Sequence, residues 1–234
     1  MVSFVDTVYF IALFFVELFV LFLLSRVLTK SISFLVHSII RSKTITAYVM
    51  GVLFMPGTLV HEVSHYLMAR LVFVPAGKME LVPHLDDRGV KLGSVAVAKT
   101  DPFRRVLIGV APFLFGTAII LITLFYTAKD GIPNNPWLIL LIGYIVFEIG
   151  NTMFSSRKDM EGAIELLLAL IVVGVVLYFS GLRPPDINPK TVFLDSILKV
   201  FQTGSVFLLV PLIIDVCIIA LLKGIIALFH RRRL

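Results

Sequence analysis

Six stretches of this chain, residues 7–24, 46–73, 103–127, 136–153, 160–180 and 204–229, are predominantly apolar. Each is about as long as a bilayer crossing demands, about 17–25 residues. In the hydrocarbon core no water is present to satisfy backbone N–H and C=O groups, so a run of this kind folds as a helix. Composition points the same way. Of the 234 residues, 59% are hydrophobic and 15% charged, against about 45–50% and about 25% in soluble domains. The expected fold is an all-α polytopic membrane protein with about six transmembrane helices, a single integral membrane domain over 1–234. No polar stretch is long enough for a soluble domain. The first apolar run is read as a retained span, since no basic region precedes it and no small-residue cleavage site follows.

Two segments break the pattern. Residues 25–44 mix Arg26, Lys30, His37, Arg41 and Lys43 with apolar side chains, which predicts an interfacial amphipathic helix after the first span. Residues 76–100 are short, β-branched and punctuated by Asp86-Asp87-Arg88-Gly89, which predicts a small β-hairpin or sheet. The chain then divides into 1–45 (span plus interfacial helix), 46–180 (the core, with the β insert) and 181–234 (a loop and last span). The net charge of +6 comes partly from His230-Arg231-Arg232-Arg233, a cluster suited to anionic lipid rather than nucleic acid. The single cysteine, Cys217, excludes an internal disulfide framework. A cytoplasmic C-terminus in a prokaryotic plasma membrane is the expected location. That choice puts the β insert, Arg104 and Arg105 on the cytoplasmic side with the tail, but leaves Arg26, Lys30, Arg41 and Lys43 outside.

Chemistry concentrates at His61-Glu62-Val63-Ser64-His65, in the middle of the second apolar run. A helix puts His61 and His65 one turn apart on one face, where both imidazoles reach one metal ion. Glu62 beside them is placed to take a proton from water polarised by that metal. Ionisable residues at membrane depth are costly and usually functional. Two neutral histidines leave zinc its full charge, so an anionic third ligand is expected. Asp159, after the polar break at Asn151–Lys158, is the first candidate; its alternative is a capping-box role with Ser156. Glu148 is the second, as a ligand or a buried hydrogen-bond partner. Glu17 and Asp215 are further intramembrane carboxyls suited to helix packing. Pro56 and Gly57 precede the motif and offer a bend or a path for water. Ala111, Pro112 and Gly116 permit close helix approach.

Taken in order, these elements resemble the site-2 protease family of intramembrane zinc metalloproteases. The resemblance rests on the HEVSH helix, the β-rich insert, the span opening Gly109-Val110-Ala111-Pro112-Phe113-Leu114-Phe115-Gly116, and Ser155-Ser156-Arg157-Lys158-Asp159-Met160-Glu161-Gly162, and covers about residues 46–180. The chain departs from the family in having Ala-Pro without a nearby Asn, in lacking Asp-Gly at Asp159, and in carrying no PDZ-like insert. The resemblance implies one catalytic Zn2+ on His61, His65 and Asp159, with Glu62 as general base. It implies a transmembrane or membrane-proximal peptide substrate, held by Asn151 and by the insert edge at Val95 and Val97 through β-addition. Three other readings compete with it. One is a membrane zinc hydrolase of another class with a Glu as third ligand. The second is a non-catalytic pseudoprotease or membrane chaperone. The last is a metal transporter, which would need several sites where the sequence offers one cluster.

Overall fold

A computed structural model describes residues 4–80, 84–86, 89–91, 93–131, 133–154, 172, 176 and 192–231. Within them lie the helices α1 (Phe4–Ile40), α2 (Lys43–Leu53) and α3 (Met55–Leu71), followed by the strands β1 (Ala76–Glu80), β2 (His84–Asp86), β3 (Gly89–Lys91) and β4 (Ser94–Val97). Three further helices complete the order: α4 (Pro102–Asp130), α5 (Pro136–Thr152) and α6 (Val192–Arg231). The fold is mostly helical. Long apolar stretches of α1, α4 and α6 are each sufficient to cross a membrane, and α2 with α3 forms a fourth candidate bent by 73°. The expected run at 160–180 falls outside the described residues except at positions 172 and 176.

Two expectations are corrected. The 25–40 stretch is not a separate interfacial helix, because α1 runs unbroken to Ile40. No Gly or Pro interrupts it, and Arg26 accommodates by laying its guanidinium over the Phe22 ring, 5.0 Å from the centroid. The helix stops at Arg41, whose φ of 56° is left-handed and whose N–H closes on the His37 carbonyl at 2.8 Å. The second apolar run is not one straight span either. It breaks at Phe54, just ahead of Pro56, which has no N–H to give to the preceding turn.

The bundle core draws on α1 (Phe14, Leu18, Leu21), α4 (Ile120, Leu124), α5 (Val146, Ile149) and α6 (Leu208). Pairwise contacts fix the helix directions. Phe14 meets Phe201 edge-on at 5.2 Å, while Leu28 clusters with Ile219, so α1 and α6 run the same way. Gly116 faces Met153 and Gly150 faces Ile120, so α4 and α5 are antiparallel. Gly150 also faces Leu21, while Phe147 clusters with Leu28, which sets α5 against α1. The C-terminal end of α6 therefore lies with the α1–α2 connection, and the base of the β insert lies at the opposite end, by the end of α3 and the start of α4, while β2 reaches back along α3 to α2. The end of α6 and the base of the insert thus lie at opposite ends of the bundle, where the sequence suggested one side. The expectation came from counting six crossings along the sequence, and charge alone could not reveal the parity.

The insert is a nested pair of hairpins. β1 pairs antiparallel with β4 (Met79 opposite Val95, Glu80 opposite Ser94), and β2 pairs antiparallel with β3. Val97 packs with Val74, Ala69 and Ile108, which anchors the outer hairpin to α3 and α4. Asp101 then caps α4 by accepting from the Arg104 N–H at 3.0 Å. That bond holds the Asp101 carboxyl below the usual carboxylate range.

The helix directions are tested by labelling. In a Cys217→Ser background, Lys43→Cys and Lys99→Cys should react with a membrane-impermeant maleimide from opposite faces of sealed vesicles. Reaction of both from one face would refute the arrangement.

Candidate metal centre

The α3 sequence places its polar side chains inward and its leucines outward. Gly57, Thr58, His61, Glu62, Ser64, His65 and Ala69 are buried, at helical spacing, while Leu59, Leu67 and Leu71 are exposed. This reversed amphipathicity suits a helix whose surroundings are apolar. The buried stripe faces α4 and α5.

On it, His61 Nε2 and His65 Nε2 lie 3.2 Å apart, with the rings edge to face. Two imidazole nitrogens bound to tetrahedral zinc at about 2.0–2.1 Å stand about 3.3–3.4 Å from each other. The pair is therefore spaced to share one metal ion. His65 Nδ1 makes a 2.7 Å bond with the Ile108 carbonyl of α4. A carbonyl can only accept, so Nδ1 carries the proton and the lone pair of the neutral ring is on Nε2, facing His61. A backbone partner of this kind is the usual support of a metal-binding histidine.

Glu62 is 7% exposed, and the insert closes over it. A Cβ at Gly93, between β3 and β4, would sit 3.0 Å from Glu62 Cγ and 3.1 Å from its Oε1. A glycine lets the backbone between the strands come this close without displacing Glu62, which any larger residue would have to push aside by a few tenths of an ångström. The β sheet thus lies directly against the candidate base, with Val95 opposite Met79 and Val97 opposite Ala76 on the outer hairpin.

Glu148 has a different task. In an unbroken helix the Gly57 N–H would bond to the Leu53 carbonyl; the break at Phe54 separates them. Glu148 Oε2 accepts from the Gly57 N–H at 3.3 Å, and the Tyr144 hydroxyl, one turn earlier on α5, donates to the Leu53 carbonyl at 3.2 Å. The two side chains replace the two halves of the missing bond. Glu148 also sits at the positive end of the α3 dipole. Of the two roles the sequence left open for it, the structure bears out the hydrogen-bond partner. Gly57 packs so tightly here that a Cβ would collide with Thr152 and lie 2.6 Å from the Glu148 carbonyl oxygen.

Asn151 is drawn into the bundle. Its Nδ2 donates to Asp215 Oδ1 at 2.8 Å and to the Phe147 carbonyl at 2.9 Å, and its own carbonyl accepts from Ser25 Oγ at 3.0 Å. It thereby ties α1, α5 and α6 together. Glu17 is likewise buried within the bundle. Asp159, the expected third ligand, lies outside the described residues, and among those described no three His, Cys, Asp or Glu side chains form a metal-holding group.

Three participants escaped the sequence reading: Gly93, the Ile108 carbonyl and Tyr144. Gly93 had a signal, a lone glycine inside a strand-like run, which marks close backbone approach. A main-chain carbonyl carries no signature in its own side chain. Searches against protein-family models, curated proteins and solved structures return no match to this chain.

Glu148→Ala, which removes the acceptor at the break, should destabilise the protein by about 0.5–2 kcal/mol, as loss of a helix cap does. Zinc binding by the His61–His65 pair should survive. Thermal unfolding and metal content, measured on the same detergent-purified sample, check both halves; loss of zinc in a folded variant would make Glu148 a ligand.

Proposed function

We propose that the chain is an intramembrane zinc endopeptidase that hydrolyses peptide bonds of transmembrane or membrane-proximal substrates. The observation that carries the reading is the convergence of two buried histidine Nε2 atoms, 3.2 Å apart, inside an apolar bundle. Glu62 on the same helix turn and a β sheet against it add to that support. So does the order of motifs that resembles the site-2 protease family. The proposal extends to a multi-pass protein of a prokaryotic plasma membrane with a cytoplasmic C-terminus.

In this reading His61, His65 and Asp159 hold one Zn2+. The bound metal supplies a Lewis acid that polarises the scissile carbonyl and lowers the pKa of water to about 7. The Glu62 carboxylate takes the proton from the attacking water and passes it to the leaving amine, so that the C–N bond breaks with the amine neutral. His65, held through its Nδ1–H by the Ile108 carbonyl, presents Nε2 without rearrangement. A helical substrate has to unwind before its peptide bond is accessible. The edge of the β1–β4 sheet, near Val95 and Val97, offers replacement backbone bonds to the extended strand.

The test uses purified full-length protein and a fluorogenic transmembrane model peptide. Wild type should hold about one zinc and cleave. His61→Ala and Asp159→Ala should lose the metal. Glu62→Gln should keep zinc and lose about 10²–10⁴-fold in rate, the usual contribution of a general base. Gly93→Val, whose side chain presses on Glu62, should slow cleavage with zinc retained. A folded wild type that takes up no zinc when supplied with it would end the reading.

A further inference from the structure

We propose that Pro112 is a positioning residue for the metal centre: by withholding a backbone N–H from α4 it leaves the Ile108 carbonyl to His65, and so sets which imidazole nitrogen faces His61. The inference rests on the reading of His61 and His65 as metal ligands.

Pro112 lies inside α4, four residues after Ile108. In a regular helix the N–H of residue 112 bonds to the carbonyl of residue 108. Proline has no N–H, and its ring crowds the carbonyl one turn back. Ile108 is buried, packed with Ala69 and Val74 under the β insert, so water does not replace the lost donor. A buried carbonyl left in this state carries a desolvation penalty and recruits whatever donor is near. His65 Nδ1, at 2.7 Å, is that donor.

The consequence reaches the second nitrogen. Because the Ile108 oxygen can only accept, Nδ1 is protonated, and Nε2 of the neutral ring keeps its lone pair. Nε2 is the atom that faces His61 Nε2 at 3.2 Å. An ordinary residue at 112 would return a competing N–H to the same carbonyl and remove the ring that crowds it. His65 would then be free to take either tautomer, and one of the two turns Nε2–H toward the metal position. Pro211, inside α6, interrupts its helix in the same way but packs by Gly150 rather than on α3, so it separates a local effect at His65 from a general effect of straightening a helix.

The experiment uses the full chain in nanodiscs, with Zn2+ titrated against a competing chelator, and 15N spectra of histidine-labelled metal-free protein, the His65 signals assigned by comparison with His65→Asn. In wild type His65 should show a protonated Nδ1 and a bare Nε2. Pro112→Ala should weaken zinc binding about 10-fold or more, the usual effect of losing a partner behind a metal ligand, and should mix the two tautomers. Pro211→Ala should match wild type in both. Zinc affinity and tautomer unchanged in Pro112→Ala would overturn the role of Pro112 while leaving the metal site intact. A wild-type His65 protonated at Nε2 would overturn it even if Pro112→Ala fails to fold. A wild type that takes up no zinc ends the metalloprotease reading, and this role with it.

Discussion

A backbone broken inside an apolar bundle must find new partners for the N–H and C=O groups that the break separates, and the rest of this site depends on where they are found. The bend at Phe54 detaches the Leu53 carbonyl from the Gly57 N–H. Both are recovered by one turn of α5, through Tyr144 and Glu148, two residues four apart on one face. This fixes α3 against α5 at the level of Gly57. His61 stands one turn further on, and its distance from α5 is set by the same contact. The absent Cβ at Gly57 permits that approach, since any side chain there meets Thr152 and the Glu148 backbone.

From that anchor the centre is assembled by three neighbours, each supplying one constraint. From α4 comes the Ile108 carbonyl, which orients His65. The β insert contributes Gly93, which covers Glu62. The Ser25–Asn151–Asp215 bonds hold α1 and α6 to α5, behind the helix that carries Glu148. In a low-dielectric interior such polar bonds are strong when satisfied and costly when not, so they specify one arrangement of the helices where apolar packing alone would permit several. The polar groups that define the site are thus also the groups that align the bundle.

Much of this was readable in the residues. The apolar runs near 7–24, 103–127, 136–153 and 204–229 correspond to α1, α4, α5 and α6, because a run of that length in lipid has no other way to satisfy its backbone. The hairpin around Asp86-Asp87-Arg88-Gly89 and the facing of His61 and His65 followed from period and turn chemistry. Pro56 and Gly57 pointed to the bend but not to its angle of 73°. Arg26 and Lys30 misled, since long basic side chains can lie along a helix without ending it. The relative direction of α1 and α6 was not readable at all. It depends on which helices pack together, and lipid-facing apolar residues look alike whichever neighbour they meet.

By itself the sequence determined what could be present: helices of bilayer length, a pair of imidazoles one turn apart with a carboxyl beside them, and a short β insert following. Those are local consequences of periodicity and of the backbone's need for partners. Only the tertiary structure decided the use of each group. It gave Glu148 to the Gly57 N–H, Asn151 to Asp215, and the Ile108 carbonyl to His65. The reason is physical: a hydrogen bond between residues tens of positions apart depends on distances that no local pattern encodes, whereas burial in an apolar bundle forces each polar group to take the partner that packing brings within reach.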